Sequence, residues 1–286
     1  MSINFAAAVA AAAQTTDMTK AQTGGGGDYV PPAAGPCRLR MVGYVETGSH
    51  LNKGFQGAPD KVKPEAHLFF EVSGPKHPPV TGSDGVTRPA ALVEIKLPIS
   101  LNENSSFFQL FNKMNYAGKA RHIGELMGLP FKGILVHREY ARKDGKPGIA
   151  VGLKNAQGFT IEAPRVEDPE SGEYKTLTVA PALTPQRGFL WDHCTLEQWA
   201  SIHIEGEYAA QVAEDGTVTR PARSKNFLQE RIKAAVNFKG SQIAQLLAGG
   251  GGLDLGEAEY VEGTKPPATE FEPAGPDEGD LLSALG

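Results

Sequence analysis

"PCRLRMVGYVETGSHLNKGFQGAPDKVKPEAHLFFEVSG", residues 36–74, decides how the rest of the chain is read. Leu39, Met41 and Val45 fall on one face of its first part, against Arg38, Arg40, Val42 and Tyr44 on the other. That period of two belongs to a strand with one buried face. "EAHLFFEVSG" supplies a second strand, in which Phe69 and Phe70 point to opposite faces, so at most one is expected to meet solvent. Between the two lies a polar connection rich in Gly, Lys and Pro. The whole predicts a long antiparallel hairpin with an extended basic loop.

Downstream the same period returns. "ALVEIKLPIS" sets Val93, Ile95, Leu97 and Ile99 against Glu94 and Lys96. "FKGILVHREYARKDGKPGIAVGLKN" (131–155) reads as a further hairpin, and "EYKTLTVAPAL" (173–183) as another strand. Five or so strands with turn signals between them suit a small barrel, which removes exposed edges by closing on itself. Helical spacing interrupts this pattern before the second hairpin: Phe107, Leu110, Phe111 and Met114 form an i, i+3, i+4, i+7 face that Ser105 or Ser106 can cap. Thr195 with Gln198 makes a capping-box pattern, and Leu228, Ile232 and Ala235 share one face of a later helix. The fold expected is mainly β with helical additions (α+β): a five-stranded barrel, a helical C-terminal third and disordered termini. Trp191 and Trp199 are assigned to the core of that third.

"GGGG" followed by Pro31, Pro32 and Pro36 makes the start a flexible arm, residues 1–35, and "AGGGGLDLG" (248–256) opens a second break. The ordered domain is placed at 36–247 and an acidic tail at 248–286. "MSINFAAAVAAAAQ" lacks the basic n-region of a signal peptide, and no run approaches the ~20 apolar residues of a membrane span. Cys37 and Cys194 are far apart and form no CxxC pair, so both are expected as reduced structural thiols.

Charge is distributed unevenly. Residues 36–165 hold 18 Lys or Arg against 11 Asp or Glu, a net of +7, whereas residues 254–286 hold one Lys against nine acids, a net of −8. A basic body joined to an acidic tail points to a polyanionic partner and a tail that competes with it. Catalytic motifs are missing: no GxxxxGK[ST], GxGxxG, GxSxG or HExxH occurs. "WDHC" sets Asp192, His193 and Cys194 side by side, but neighbours on an extended chain point apart and do not converge on a metal. No enzyme, cofactor or metal is expected.

Basic residues interleaved with aromatics remain. Unpaired nucleic acid offers phosphates to cations and base faces to rings, at roughly 1–3 kcal/mol per stacked base. The first loop supplies Lys53, Phe55, Lys61 and Lys63; the helical insertion supplies Phe108, Lys113, Tyr116, Lys119 and Arg121. His137, Arg138, Tyr140, Arg142, Lys143 and Lys146 come from the second hairpin. Phe107 and Phe111 are left to the core. All three groups are expected on one side of the barrel.

Taken in order, these segments resemble the single-stranded DNA-binding proteins of tailed phages with an OB fold. The opening hairpin with "HLFFEV", the central "LMGLPFKGILVHREYARKDGKPGIAVGLKN" and the ending "GFLWDHCTLEQWASI…KNFLQERIKAAVNFKGSQIAQLL" carry the likeness, over about residues 36–247. The resemblance implies a noncatalytic protein of the host cytoplasm that coats single-stranded DNA in replication, recombination or repair. By position it adds Arg38 and Arg40 to the DNA-binding set. It also implies that the tail docks replication or recombination proteins, with Asp277, Glu278 and Asp280 supplying charge and Leu281, Leu282 and Leu285 an apolar tip. The Pro/Gly stretch "SGPKHPPVTGSDGVTRPA" and the Ala-rich arm depart from that pattern and leave a homo-oligomer open. A strand-annealing mediator and a structural or scaffold protein of the virion are the alternatives.

Overall fold

The structure, a computed structural model, describes residues 31–53, 59–82, 85–141, 147–212 and 216–249. Alternating segments become strands β1 (Gly35–Asn52), β2 (Lys61–Ser73), β3 (Ala91–Pro98), β4 (Pro130–Ala141) and β5 (Pro147–Gly152). They pair antiparallel in the order β3-β2-β1-β4-β5, and a short β6 (Arg187–Phe189) runs parallel to β1 beside Gly43–Val45. The sheet is open. Its outer strands β3 and β5 approach within 8 Å between Cα atoms but do not pair, so the expected closed barrel is not formed. β5 is only six residues long and pairs with the far half of β4, after which the chain turns into a separate ribbon at Lys154–Asn155 and Gly158–Phe159. "EYKTLTVAPAL" likewise joins no main strand: Tyr174–Thr176 pairs with Arg165–Glu167 in a ribbon of its own.

Irregularities in β1 correct the expected facing. The ladder to β2 shifts between Met41 and Gly43 and again between Glu46 and Gly48. An extra residue at a bulge transfers everything beyond it to the opposite face. Tyr44 therefore joins Leu39, Met41, Leu68, Phe70 and Phe131 in the concave core, while Val45 turns outward with Val42. Phe69 and Phe70 are both buried, one in each core. The outer face of β1 and β2 is dry because the C-terminal third packs on it through Phe189, Trp199, Ile202, Leu228, Ile232 and Ile243. Gly43 allows this, since a Cβ there would sit 2.8 Å from the Phe69 ring.

Helix α1 (Ser106–Met114) connects β3 to β4, with Ser105 Oγ accepting from Phe108 N at 3.2 Å and Phe107, Leu110 and Met114 buried. The C-terminal third is less helical than expected. It holds three short helices, α2 (Leu196–Ser201), α3 (Phe227–Lys233) and α4 (Gln242–Gly249), separated by two- and three-residue strands. Thr195 caps α2, but Gln198 accepts from Leu190 N instead of closing the box. Trp199 is buried and Trp191 half-buried. The described part ends two residues past the expected boundary at 247, with Gly249 closing α4. Residues 1–30 and 250–286, most of the expected arm and tail, lie outside the described residues; Gly35 of the expected arm belongs to β1.

α3 is fastened to the sheet by charge. Glu65 is buried and receives Arg231 at 2.7 Å and Lys96 at 3.2 Å, with His50 beside them. Burial alone would raise the Glu65 carboxyl, but the Arg231 bond and the Lys96 and Arg231 charges hold it below its ordinary value. Burial, with help from Arg231, lowers His50 to about 4. An unfolded chain therefore takes up the His50 proton first, and stability present above pH 6.5 is lost as pH falls toward 4. The shift corresponds to about 3 kcal/mol. Urea midpoints should fall steeply between pH 6.5 and 4.5, and His50→Gln should flatten that slope; equal slopes would remove His50 from the account.

Candidate nucleic-acid interface

Exposed chemistry concentrates on the outward side of β4 and β5. Phe131, Gly133 and Leu135 turn into the concave core, so Lys132, Ile134, Val136, Arg138 and Tyr140 turn outward. Register places Arg38 of β1 opposite Lys132, and small residues of β5 opposite the outward row: Gly152 to Val136, Ala150 to Arg138, Gly148 to Tyr140. A Cβ built on Gly148 would lie 2.6 Å from Tyr140 Cζ and within 3.0 Å of both Cε atoms. The phenol ring thus lies across the bare backbone of Gly148, which supports it from below, and Tyr140 is half-buried. Arg138 stands two residues away on the same face, with its Nε buried and without a hydrogen-bond partner. Arg38 has no ion pair among the described residues, and Lys132 meets Glu162 at 3.1 Å, both partners partly exposed. Ile134 is 46% exposed between them. A supported ring with a guanidinium beside it can stack a base and meet a phosphate.

Several expected contacts are occupied by the protein itself. Arg40 donates from Nε to Ala180 O at 2.8 Å, from one terminal nitrogen to Gly128 O at 2.5 Å and from the other to Val179 O at 2.9 Å. It straps the 179–184 segment to the sheet. Lys113 Nζ donates to Phe159 O at 2.5 Å, and His137 Nε2 donates to Pro32 O at 2.7 Å. Phe108 is half-buried. Tyr116 sets its ring edge-on to Phe131 and its hydroxyl 3.4 Å from Pro130 O, yet stays 43% exposed. Lys53, Lys61, Lys63, Lys119 and Arg121 are exposed. Phe55, Arg142, Lys143 and Lys146 lie outside the described residues, as do Asp277, Glu278, Asp280, Leu281, Leu282 and Leu285. Sequence reasoning missed Lys132, Ile134 and the glycine under Tyr140. Period two starting at Arg138 would have found the first two.

Arg40→Lys tests the division. Losing two or three charge-assisted bonds to backbone carbonyls, two of them part-buried, should cost about 2–3 kcal/mol, read by urea unfolding, and leave oligothymidine affinity within about twofold. A selective loss of affinity would return Arg40 to the interface.

The outer face of β2 and β3 carries opposite chemistry. Glu65, His67 and Glu71 are buried there, with Glu71 accepting from Leu183 N and Thr184 N at 2.7–3.0 Å. Glu94 of β3 pairs with His67. Glu65, Glu71 and Glu94 are spent on partners within the protein, and the packed cover closes the β1–β2 face to a polyanion. The three basic groups also do not gather at one end. β4 pairs with the start of β1 and runs past it, so the end of β4 at Ala141 lies beyond Gly35, whereas Lys53, Lys61 and Lys63 lie at Asn52. Between them, His122 packs edge-on to Tyr44, which puts neighbouring Arg121 alongside the middle of β1. The basic residues are spread along the length of β1 and not gathered at one end.

No family model, curated protein or solved structure matches the chain. "WDHC" is absorbed structurally: Glu46 accepts from Trp191 N and Tyr44 Oη, both at 2.8 Å, and Cys194 is buried with its carbonyl accepting from Gln242. Asp192 and His193 line a cleft of about 320 Å³ with Glu46, His122 and Leu190. Among the described residues no three donors are placed to hold a metal ion. Burial pushes Cys37 up to about 12, so its thiol is inert. No described helix is long and apolar enough to cross a membrane.

Proposed function

We propose that this chain is a sequence-nonspecific single-stranded DNA-binding protein of phage replication, recombination or repair. The observation that carries the reading is Tyr140 laid on Gly148 with Arg138 two residues away on the same face, and with Arg38 and Lys132 paired farther along the same strand. A ring supported by backbone gives any base a π-face without reading its edges, and the cations meet phosphates regardless of sequence. The strand order, the helix between β3 and β4 and the near approach of β3 to β5 fit the partly open five-stranded arrangement of OB folds. In this reading the ligand shifts from the acidic β2–β3 face to β4 and β5. The tail, with its net of −8, competes for those cations and, once displaced, docks replication or recombination proteins.

Fluorescence polarisation with oligothymidine tests this. If about four phosphates are neutralised, affinity should fall about 50-fold between 50 and 200 mM salt, and duplex DNA should bind far more weakly. Deleting residues 254–286 should tighten binding several-fold at low salt and end capture of partner proteins. Equal affinity for duplex, or an unchanged affinity without the tail, would contradict the respective part.

A further inference from the structure

We infer that one polynucleotide strand is gripped at two separate subsites, one at each end of β1, and this rests on the function proposed above. The first subsite is the Tyr140–Arg138 face. The second is the far end of the β1–β2 hairpin. There Leu51 and Val62 are direct cross-strand partners, 61% and 52% exposed, and Lys53, Lys61 and Lys63 stand around them. An apolar cross-strand pair left open on a soluble hairpin invites a flat apolar ligand, and the ammonium groups select one that is anionic; an unpaired nucleotide is both. The sheet between the subsites offers no grip. Its outer face is covered by the C-terminal third and carries Glu65 and Glu71.

Separation sets the ligand length. Leu51 lies 16 residues along β1 from Gly35, and Tyr140 lies five residues of β4 beyond Leu135, the partner of Gly35, so the subsites are at most roughly 70 Å apart at ~3.3 Å per residue. A stacked strand rising 3.4 Å per nucleotide needs about 20 nucleotides to bridge that span, and an extended strand or a curved β1 needs fewer. Below this length an oligonucleotide occupies one subsite. Above it the second contact becomes intramolecular, and affinity gains about 10²-fold or more without any new chemistry.

Polarisation titrations of the full chain with dT6, dT12, dT20 and dT30, beside a Lys61→Glu/Lys63→Glu variant, test the inference. Wild type should show a break in affinity between dT6 and dT20. The variant should bind dT6 within about twofold of wild type, bind dT30 at least tenfold more weakly and lose the break. Both substitutions lie on exposed side chains, and matching urea midpoints would establish that the variant is folded. A smooth rise of wild-type affinity with length, or an unchanged dT30 affinity in the variant, overturns the two-subsite inference while the single-face reading stands. No binding at any length overturns the underlying function instead.

Discussion

Gly48→Ala is expected to lower the unfolding free energy by about 3 kcal/mol and to loosen the C-terminal third. Gly48 sits at the second bulge of β1 with φ +80°, and a Cβ there would meet the Trp191 ring at 2.4 Å and Ala235 Cβ at 2.7 Å. A left-handed conformation costs an L-residue roughly 1–2 kcal/mol, and overpacking a filled site adds roughly 1–3 kcal/mol. Neither neighbour retreats freely. Trp191 is held through its backbone N–H on Glu46, and the turn after Ala235 is tied to β1 by Val236 N on Ser49 O and by Asn237 on Ser49 N. Urea unfolding followed by tryptophan fluorescence reads both effects. Gly152→Ala is the control, because a Cβ at that position meets nothing within 4 Å. An unchanged midpoint for Gly48→Ala would mean that the third is not seated through this contact.

Tyr140→Ala is expected to weaken oligothymidine binding about 10–100-fold, the range of one lost stacking contact. Tyr140→Phe should keep most of the affinity, because the ring and not the hydroxyl does the stacking. Gly148→Ala should behave like a partial Tyr140→Ala: its methyl would occupy the space where the ring now rests. Arg138→Glu should match or exceed Tyr140→Ala at low salt and approach wild type at high salt, since the lost term is Coulombic and screened. The side chains lie on the outward face, so folding should be little altered, and urea midpoints check this. Wild-type affinity in Tyr140→Ala would remove the platform from the account.

Local pattern revealed some of this architecture and long-range packing hid the rest. Strict alternation made β2, β3 and the β4–β5 hairpin visible, and the spacing of Phe107, Leu110 and Met114 with Ser105 before it disclosed α1. The bulges in β1 sit at Gly43 and Gly48, and a glycine inside a strand is their one local hint, too weak by itself to reveal the inversion of Tyr44 and Val45. Coverage of the outer sheet face depends on residues more than a hundred positions away, and so does the burial of Phe69. Closure failed as an inference because it needs β5 to run alongside β3, which a six-residue strand ending at Gly152 does not do. At the interface, residue type pointed to Arg138 and Tyr140, while only geometry separates Arg38, which has no ion pair among the described residues, from Arg40, whose guanidinium is spent on three carbonyls.

Ultraviolet cross-linking of the full chain to oligothymidine, followed by peptide mass spectrometry, tests the central claim most directly because it reports where a base touches the protein. The account predicts a principal cross-link at Tyr140, lost in Tyr140→Ala and suppressed by excess unlabelled single strand. Cross-links confined to Leu92–Lys96 on the β3 face, with Tyr140 unlabelled while binding persists, would contradict it.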